Sequence, residues 1–135
     1  MRTLSQALLI SVFLFASCTE KRTSVGEKAY MYWAEKKPGN DIKILNGKYW
    51  QSPHWTKEYE LYLEMQTNPK WVKEFLKQNK MKVKTSAELN LPDDAPTWFE
   101  PRIGLKVYEP SGFNQGSIYF VDEKTGYIMF YEIQL

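Results

Sequence analysis

The strongest constraint on the fold lies at the carboxyl end of the chain, where a short polar loop separates two apolar segments. Residues 117–121 and 127–133 are rich in β-branched and aromatic residues, and the intervening DEKTG ends in Gly126, which can adopt the positive φ of a hairpin turn. The second segment is apolar at consecutive positions. It therefore predicts a β-hairpin whose second strand is central or covered on both faces, most simply by a helix on one of them.

An amphipathic helix is predicted over residues 68–79. Asn68 is a favourable N-cap, and Pro69 suits the first helical position because an N–H there would have no helical partner. The apolar side chains that follow recur at helical spacing, and they are Trp71, Val72, Phe75 and Leu76. The sequence thus predicts a helix packed by one face on the sheet.

Further strands are indicated upstream and downstream of this helix. Residues 57–66 (KEYELYLEMQ) alternate in polarity, which favours a strand, although the charged, Leu-rich composition leaves a helix as the alternative. Residues 103–109 predict another strand. The Asn46-Gly47 dipeptide is typical of a tight turn, here between strands at 42–45 and 48–51.

The predicted fold class is therefore α+β, with a mostly antiparallel sheet of four to five strands and one main amphipathic helix. A short helix is also expected over residues 27–36, where Tyr30, Trp33 and Ala34 lie at helical spacing. A chain of 135 residues with 43% hydrophobic and 25% charged residues is typical of one globular domain, which we place at residues 27–135.

The amino-terminal segment differs from the rest. Arg2 is the only charged side chain before Glu20, and residues 7–16 read ALLISVFLFA. A helix of this length would span about 15 Å, half of the roughly 30 Å hydrocarbon core of a bilayer. A basic start followed by a short apolar run predicts a removable secretory signal over residues 1–17.

This run ends in Phe15, Ala16, Ser17 and Cys18, a segment that resembles the lipobox of bacterial lipoproteins. Ala16 and Ser17 match the small positions and Cys18 the invariant cysteine, whereas Phe15 stands where Leu is usual. The resemblance implies cleavage after Ser17 and diacylglycerol on Cys18, the only cysteine of the chain. The alternative is cleavage by an ordinary signal peptidase and release of a soluble exported protein.

The resemblance also implies an address for the mature protein. In lipoproteins of enteric bacteria, Asp after the cysteine favours retention in the inner membrane, whereas this chain has Thr19, which favours the outer membrane. Residues 18–26 are polar and lack periodicity, so they predict a lipidated tether. We therefore expect the membrane as a partner through Cys18, and we consider an envelope protein as a second partner.

Motifs for chemistry are lacking. The sequence has no glycine-rich phosphate loop, no nucleophile elbow and no Cys and His residues at metal-ligand spacing, so it predicts no cofactor, metal or small-molecule substrate. A net charge of +2 does not suggest nucleic acid as a partner. His54, the only histidine, lies between Pro53 and Trp55 and is more typical of a structural residue than of a catalyst.

The proline-bounded loop LPDDAPTWFEP holds the residues that we consider for partner contact, which are Asp93, Asp94, Trp98 and Phe99. Two neighbouring carboxylates can share acid and base work or bind calcium, but Asp beside Pro is also ordinary turn chemistry. The two rings would either fasten the loop to the sheet or recognise a partner.

A basic run follows the predicted helix, formed by Lys77, Lys80, Lys82 and Lys84. These lysines would either complement the helix dipole in solvent or meet anionic lipid headgroups.

The expected function is that of a membrane-anchored envelope lipoprotein acting as a small protein-interaction or binding module. One alternative is a structural or ligand-binding lipoprotein that contacts peptidoglycan or lipid. The other is an enzyme that uses Asp93, Asp94 or Glu100 together with His54, which would require these side chains to converge in a cleft.

Overall fold

A computed structural model describes residues 19–85 and 88–135, so the predicted signal peptide and Cys18 lie outside the described residues. Within these ranges two helices and a set of strands follow one another along the chain. They are β1 (Lys21–Thr23), α1 (Gly26–Ala34), β2 (Lys43–Gln51), β3 (Tyr59–Gln66), α2 (Pro69–Gln78), β4 (Met81–Val83), β5 (Lys106–Pro110), β6 (Ile118–Asp122) and β7 (Tyr127–Gln134).

The strands form one seven-stranded sheet in the order β1-β2-β3-β7-β6-β5-β4, and all neighbouring strands are antiparallel. The predicted α+β class is confirmed, whereas the predicted count of four to five strands was too low. The two edge strands, β1 and β4, have three residues each. Three residues are too few to display a polarity pattern, so these strands could not be detected from periodicity.

Strand β7 lies at the centre of the sheet and is buried on both faces, as the apolar pattern predicted. Ile128 and Phe130 belong to a core shared with both helices, whereas Met129 and Tyr131 belong to a second core on the opposite face. This second core is covered by residues of the segment between β4 and β5. The sheet is therefore the middle layer of the domain.

Helix α2 and strand β3 also agree with the predictions. Asn68 Oδ1 accepts a hydrogen bond from the Trp71 backbone N–H at 2.9 Å and so caps the helix. The buried side chains of α2 are those of the predicted stripe, Val72, Phe75 and Leu76. Residues 59–66 form a strand and not a helix.

The turn predicted at Asn46-Gly47 was wrong, because β2 continues through both residues with a bulge between Ile44 and Asn46. A Cβ on Gly47 would lie 2.9 Å from the Ala29 Cβ and 2.9 Å from the Gly26 Cα. Gly47 therefore serves the close approach of α1 to the strand, a use of glycine that a dipeptide pattern cannot distinguish from a turn.

The described part of the predicted tether, residues 19–26, contains regular secondary structure. Lys21 pairs with Gln51 and Thr23 with Tyr49, which makes β1 an edge strand, and α1 already begins at Gly26. The folded part of the chain thus begins before residue 27.

Candidate functional site

The proline-bounded loop lies across the second face of the sheet and is fastened there by Phe99. This ring is only 4% exposed, and it makes edge contacts with Tyr62 at 5.1 Å and with Phe120 at 6.2 Å between ring centroids. The Phe99 backbone N–H donates to the carbonyl of Pro96 at 2.8 Å, which closes a turn. Phe99 therefore acts as a core residue, and it is not available for the partner contact considered from the sequence.

Trp98 has a mixed role. Its ring is half-buried, packs against the same core and meets the Phe99 ring edge-on at 5.9 Å. Trp98 thus helps to fasten the loop while it keeps part of its surface exposed. This combination of a fixed ring and a free edge is common among residues that carry binding energy at interfaces.

Asp93 and Asp94 are both exposed, and Asp94 has defined partners. Its Oδ1 accepts a hydrogen bond from the Tyr62 hydroxyl at 3.1 Å, and its carbonyl oxygen accepts one from Lys48 Nζ at 3.2 Å. Burial together with the Asp94 charge raises the pKa of the Tyr62 hydroxyl, so this group remains a donor. Burial and Asp94 also raise the pKa of Glu60.

These carboxylates do not form a metal centre. Across residues 19–85 and 88–135, no group of three or more His, Cys, Asp or Glu side chains is placed to hold a metal ion. The contacts of Asp94 join the loop to the sheet, as expected for turn and packing chemistry.

The loop continues past Pro101 to Arg102 and Ile103, and both of these residues are exposed. The Arg102 guanidinium lies 4.1 Å from the centroid of the Tyr127 ring, a cation–π contact, and the Ile103 side chain is fully exposed. Gly104 follows with a φ of 93°, and strand β5 begins only at Lys106. The predicted strand start at residue 103 was therefore wrong. Gly104 was the sequence signal for a turn at this point.

A second candidate site is a cleft of about 470 Å³ at one end of the helix-covered face. Its acidic group is Glu132, which accepts hydrogen bonds from three side chains. The Tyr59 hydroxyl and the Trp33 Nε1–H (3.0 Å) donate to Oε1, and the Tyr119 hydroxyl donates to Oε2 at 2.6 Å. Burial, followed by the Glu132 charge, raises the pKa of both tyrosines, which therefore stay protonated as donors.

The geometry around Glu132 leaves room for one further donor. A carboxylate offers about four acceptor positions, and the protein fills three of them. The rest of the cleft is lined by side chains that can pack on or hydrogen-bond a ligand, among them Asn79, Met81, Phe113 and Gln115. The sequence contained a usable signal for this site, because residue 132 falls on the same strand face as the buried Ile128 and Phe130, where a carboxylate requires partners.

The residues of the enzyme alternative do not converge. His54 lies in the loop between β2 and β3, and its acidic neighbour is Glu58, with 3.7 Å between His54 Nδ1 and Glu58 Oε2. Asp94 instead contacts the middle of the sheet through Tyr62 and Lys48. Within the described part of the chain, no hydrogen bond or ion pair joins His54 to Asp93, Asp94 or Glu100.

Comparison of the chain with protein-family models, with curated proteins and with solved structures found no match. In residues 19–85 and 88–135, no helix has the length and apolar character needed to cross a membrane.

Proposed function

We propose that this chain is the precursor of an outer-membrane lipoprotein, anchored through lipid on Cys18, whose domain binds an envelope protein through the loop that covers the second sheet face. The lipobox-like segment at residues 15–18 supports the anchor. The domain acts as a binding module and not as a catalyst.

The observation that carries the proposed binding role is the contrast within this loop between a buried ring and an exposed tip. Phe99 is 4% exposed, whereas Ile103, four residues later, is fully exposed. A loop whose only role is to cover the core would be expected to point its large apolar side chains toward that core. A long loop held rigidly on a sheet while it presents an apolar side chain is instead typical of recognition loops.

The chemistry of the loop indicates the kind of partner surface. Ile103 requires an apolar depression, and the exposed carboxylates of Asp93 and Asp94 elsewhere on the loop favour basic side chains. Trp98 supplies a partly exposed ring between them in sequence. The partner surface would therefore combine an apolar depression with basic side chains.

The test is site-specific photo-crosslinking in living cells of the source bacterium, with a photoreactive residue at position 103. The matched control position is Lys124, which is exposed in the turn between β6 and β7. We expect one discrete adduct from position 103 and none from position 124. We also expect Ile103→Glu to abolish co-purification of that partner, while Lys124→Glu retains it and both variants unfold at the wild-type temperature. Equal adducts at both positions, or a partner retained by Ile103→Glu, would overturn the loop as the binding site.

The Glu132 cleft favours a second candidate function, the binding of a small envelope ligand such as a cell-wall fragment. A carboxylate with one open acceptor position beside aromatic rings suits a ligand that donates a hydrogen bond or carries a positive charge. Backbone NMR shifts measured with soluble peptidoglycan fragments distinguish the two functions. Shifts confined to the cleft residues would support this candidate, and shifts at neither site would leave the protein-binding proposal in place.

A further inference from the structure

The sheet topology brings several separate segments of the chain together at one end of the strands. At this end β1 begins, and the chain that precedes β1 leads to Cys18. Lys21 pairs with Gln51, so the start of β1 lies beside the loop that joins β2 to β3. Tyr59 pairs with Gln134, which brings the carboxyl terminus to the same end. We call this the anchor end, and it comprises residues 19–21, 52–58, 111–117 and 135.

The distance from Cys18 to the folded domain is short. Only Thr19 and Glu20 separate Cys18 from Lys21, and three residue steps span at most roughly 10 Å. Lipid on Cys18 would therefore hold the anchor end close to the bilayer surface. The turn between β6 and β7 lies at the opposite end of these strands, because Asp122 pairs with Tyr127 there.

Among the described residues, three of the four most exposed large apolar side chains lie on the anchor end, and the fourth is Ile103. Trp55 is 92% exposed, Phe113 is 90% exposed and Leu135 is 62% exposed. The loops that carry Trp55 and Phe113 join strand pairs about three strand spacings apart, or roughly 15 Å. Leu135 lies between them and is held by two hydrogen bonds with Gln115, at 2.7 and 2.9 Å. The three side chains thus lie in a row across the anchor end.

A shallow surface pocket lined by lysines, which we call the basin, adjoins the anchor end. Its charged lining residues are four lysines and one glutamate, which are Lys21, Lys36, Lys37, Lys57 and Glu35. Glu35 ends α1 in the left-handed conformation and pairs with Lys57 at 3.2 Å. The remaining lysines leave the basin with an excess of positive charge. Lysine beside exposed tryptophan is the composition of protein surfaces at membrane interfaces.

The basin differs from the basic run that the sequence suggested for headgroup contact. Lys82 and Lys84 share the carboxylate of Glu109, at 3.7 and 3.4 Å, on the strand pair β4–β5. The lysines of the basin come instead from three separate segments of the chain, so their grouping was visible only in the folded structure.

We propose that the anchor end docks on the surface of a bilayer rich in anionic phospholipid, with Trp55, Phe113 and Leu135 in the interfacial layer and the basin lysines on the headgroups. This inference rests on the proposed lipid anchor at Cys18. It adds an orientation, because docking sets the strands upright on the membrane. Ile103 then lies toward the end of the domain away from the bilayer, accessible to a partner, because β5 begins beside the end of β6 and Arg102 packs on Tyr127 at that end.

The experiment uses the lipidated mature protein, reconstituted on vesicles of phosphatidylcholine with phosphatidylglycerol or of phosphatidylcholine alone. Because acylation blocks Cys18, a newly introduced cysteine is the only free thiol, and it takes a polarity-sensitive fluorophore. We compare Phe113→Cys at the anchor end with Lys124→Cys at the opposite end. At position 113 we expect a shift to shorter wavelength and quenching by brominated acyl chains on the vesicles with phosphatidylglycerol, with neither effect at position 124.

Two variants test the contacts themselves. Replacing the basin lysines by glutamine should lower the ratio of docked to undocked protein about fivefold per lysine at low salt. Trp55→Ser should reduce the quenching at position 113 without changing the unfolding temperature, because the ring is exposed. Unchanged signals in both variants would overturn the proposed contacts.

Failure of the anchor and failure of docking give different results. If the protein does not float with either kind of vesicle, the chain is not held at the membrane and both proposals are overturned. If it floats but position 113 is as exposed as position 124, the anchor stands and docking is overturned.

Discussion

The replacement Phe99→Ala tests whether one ring fastens the candidate binding loop to the sheet. Truncation of a buried Phe to Ala typically destabilises a protein by about 3–5 kcal/mol, from lost burial and the cavity that remains. Phe99 has edge contacts with Tyr62, Phe120 and Trp98, and such contacts add to its burial. Because the loop can partly collapse into the space left, we expect a loss near the lower bound, about 3 kcal/mol.

Urea unfolding at neutral pH measures this loss, and limited trypsin digestion reports on the loop itself. The bond after Arg102 should be cut faster in the variant, since this guanidinium packs on the Tyr127 ring in the native loop. Ile103→Ser is the matched control, because an exposed side chain at the same loop should change stability by no more than about 0.5 kcal/mol. A loss below about 1 kcal/mol for Phe99→Ala, with unchanged cleavage, would refute the role of this ring.

Two further predictions concern the scaffold. Gly126→Ala should destabilise the domain by about 3 kcal/mol or more, because Gly126 has a φ of 80° and a Cβ there would lie 2.5 Å from the Asn68 backbone. Gly112→Ala, where no atom lies within 4 Å of an added Cβ, is its control in the same urea assay, and equal losses would contradict the clash. Stability should also fall as pH rises above about 10, since burial raises the pKa of Tyr49 to about 12 and the unfolded chain releases phenolic protons that the folded chain retains. Urea midpoints that stay constant from about pH 9 to about pH 11 would contradict this linkage.

The elements predicted from the sequence are those whose pattern extends over two turns or five residues. The helix after Asn68, the strand at residues 59–66 and the hairpin around Gly126 all have such patterns, and all three are present. The strand at residues 21–23 is too short for a pattern, and its pairing with β2 depends on residues far along the chain. Gly47 shows a further limit of prediction from sequence. A glycine that allows a helix to pack closely on a strand has the same local sequence pattern as a glycine that forms a turn.

The geometry of the candidate sites was less visible in the sequence than the fold was. The proline-bounded loop was recognised from its length and composition, but its sequence did not reveal that Phe99 is buried while Ile103 is exposed. Exposure depends on how the loop lies across the sheet, which is a tertiary property. The partners of Glu132 come from α1, β3 and β6, so no spacing along the chain could have brought them together.

We propose that lipid on Cys18 attaches the domain to the envelope membrane, and mass spectrometry of the mature protein tests this anchor most directly. We expect an amino-terminal peptide that begins at Cys18 and carries diacylglycerol, together with loss of the protein from the outer-membrane fraction in Cys18→Ser. An unmodified amino terminus at another residue, or a Cys18→Ser variant that fractionates like the wild type, would show that lipid on Cys18 does not hold the domain at the membrane.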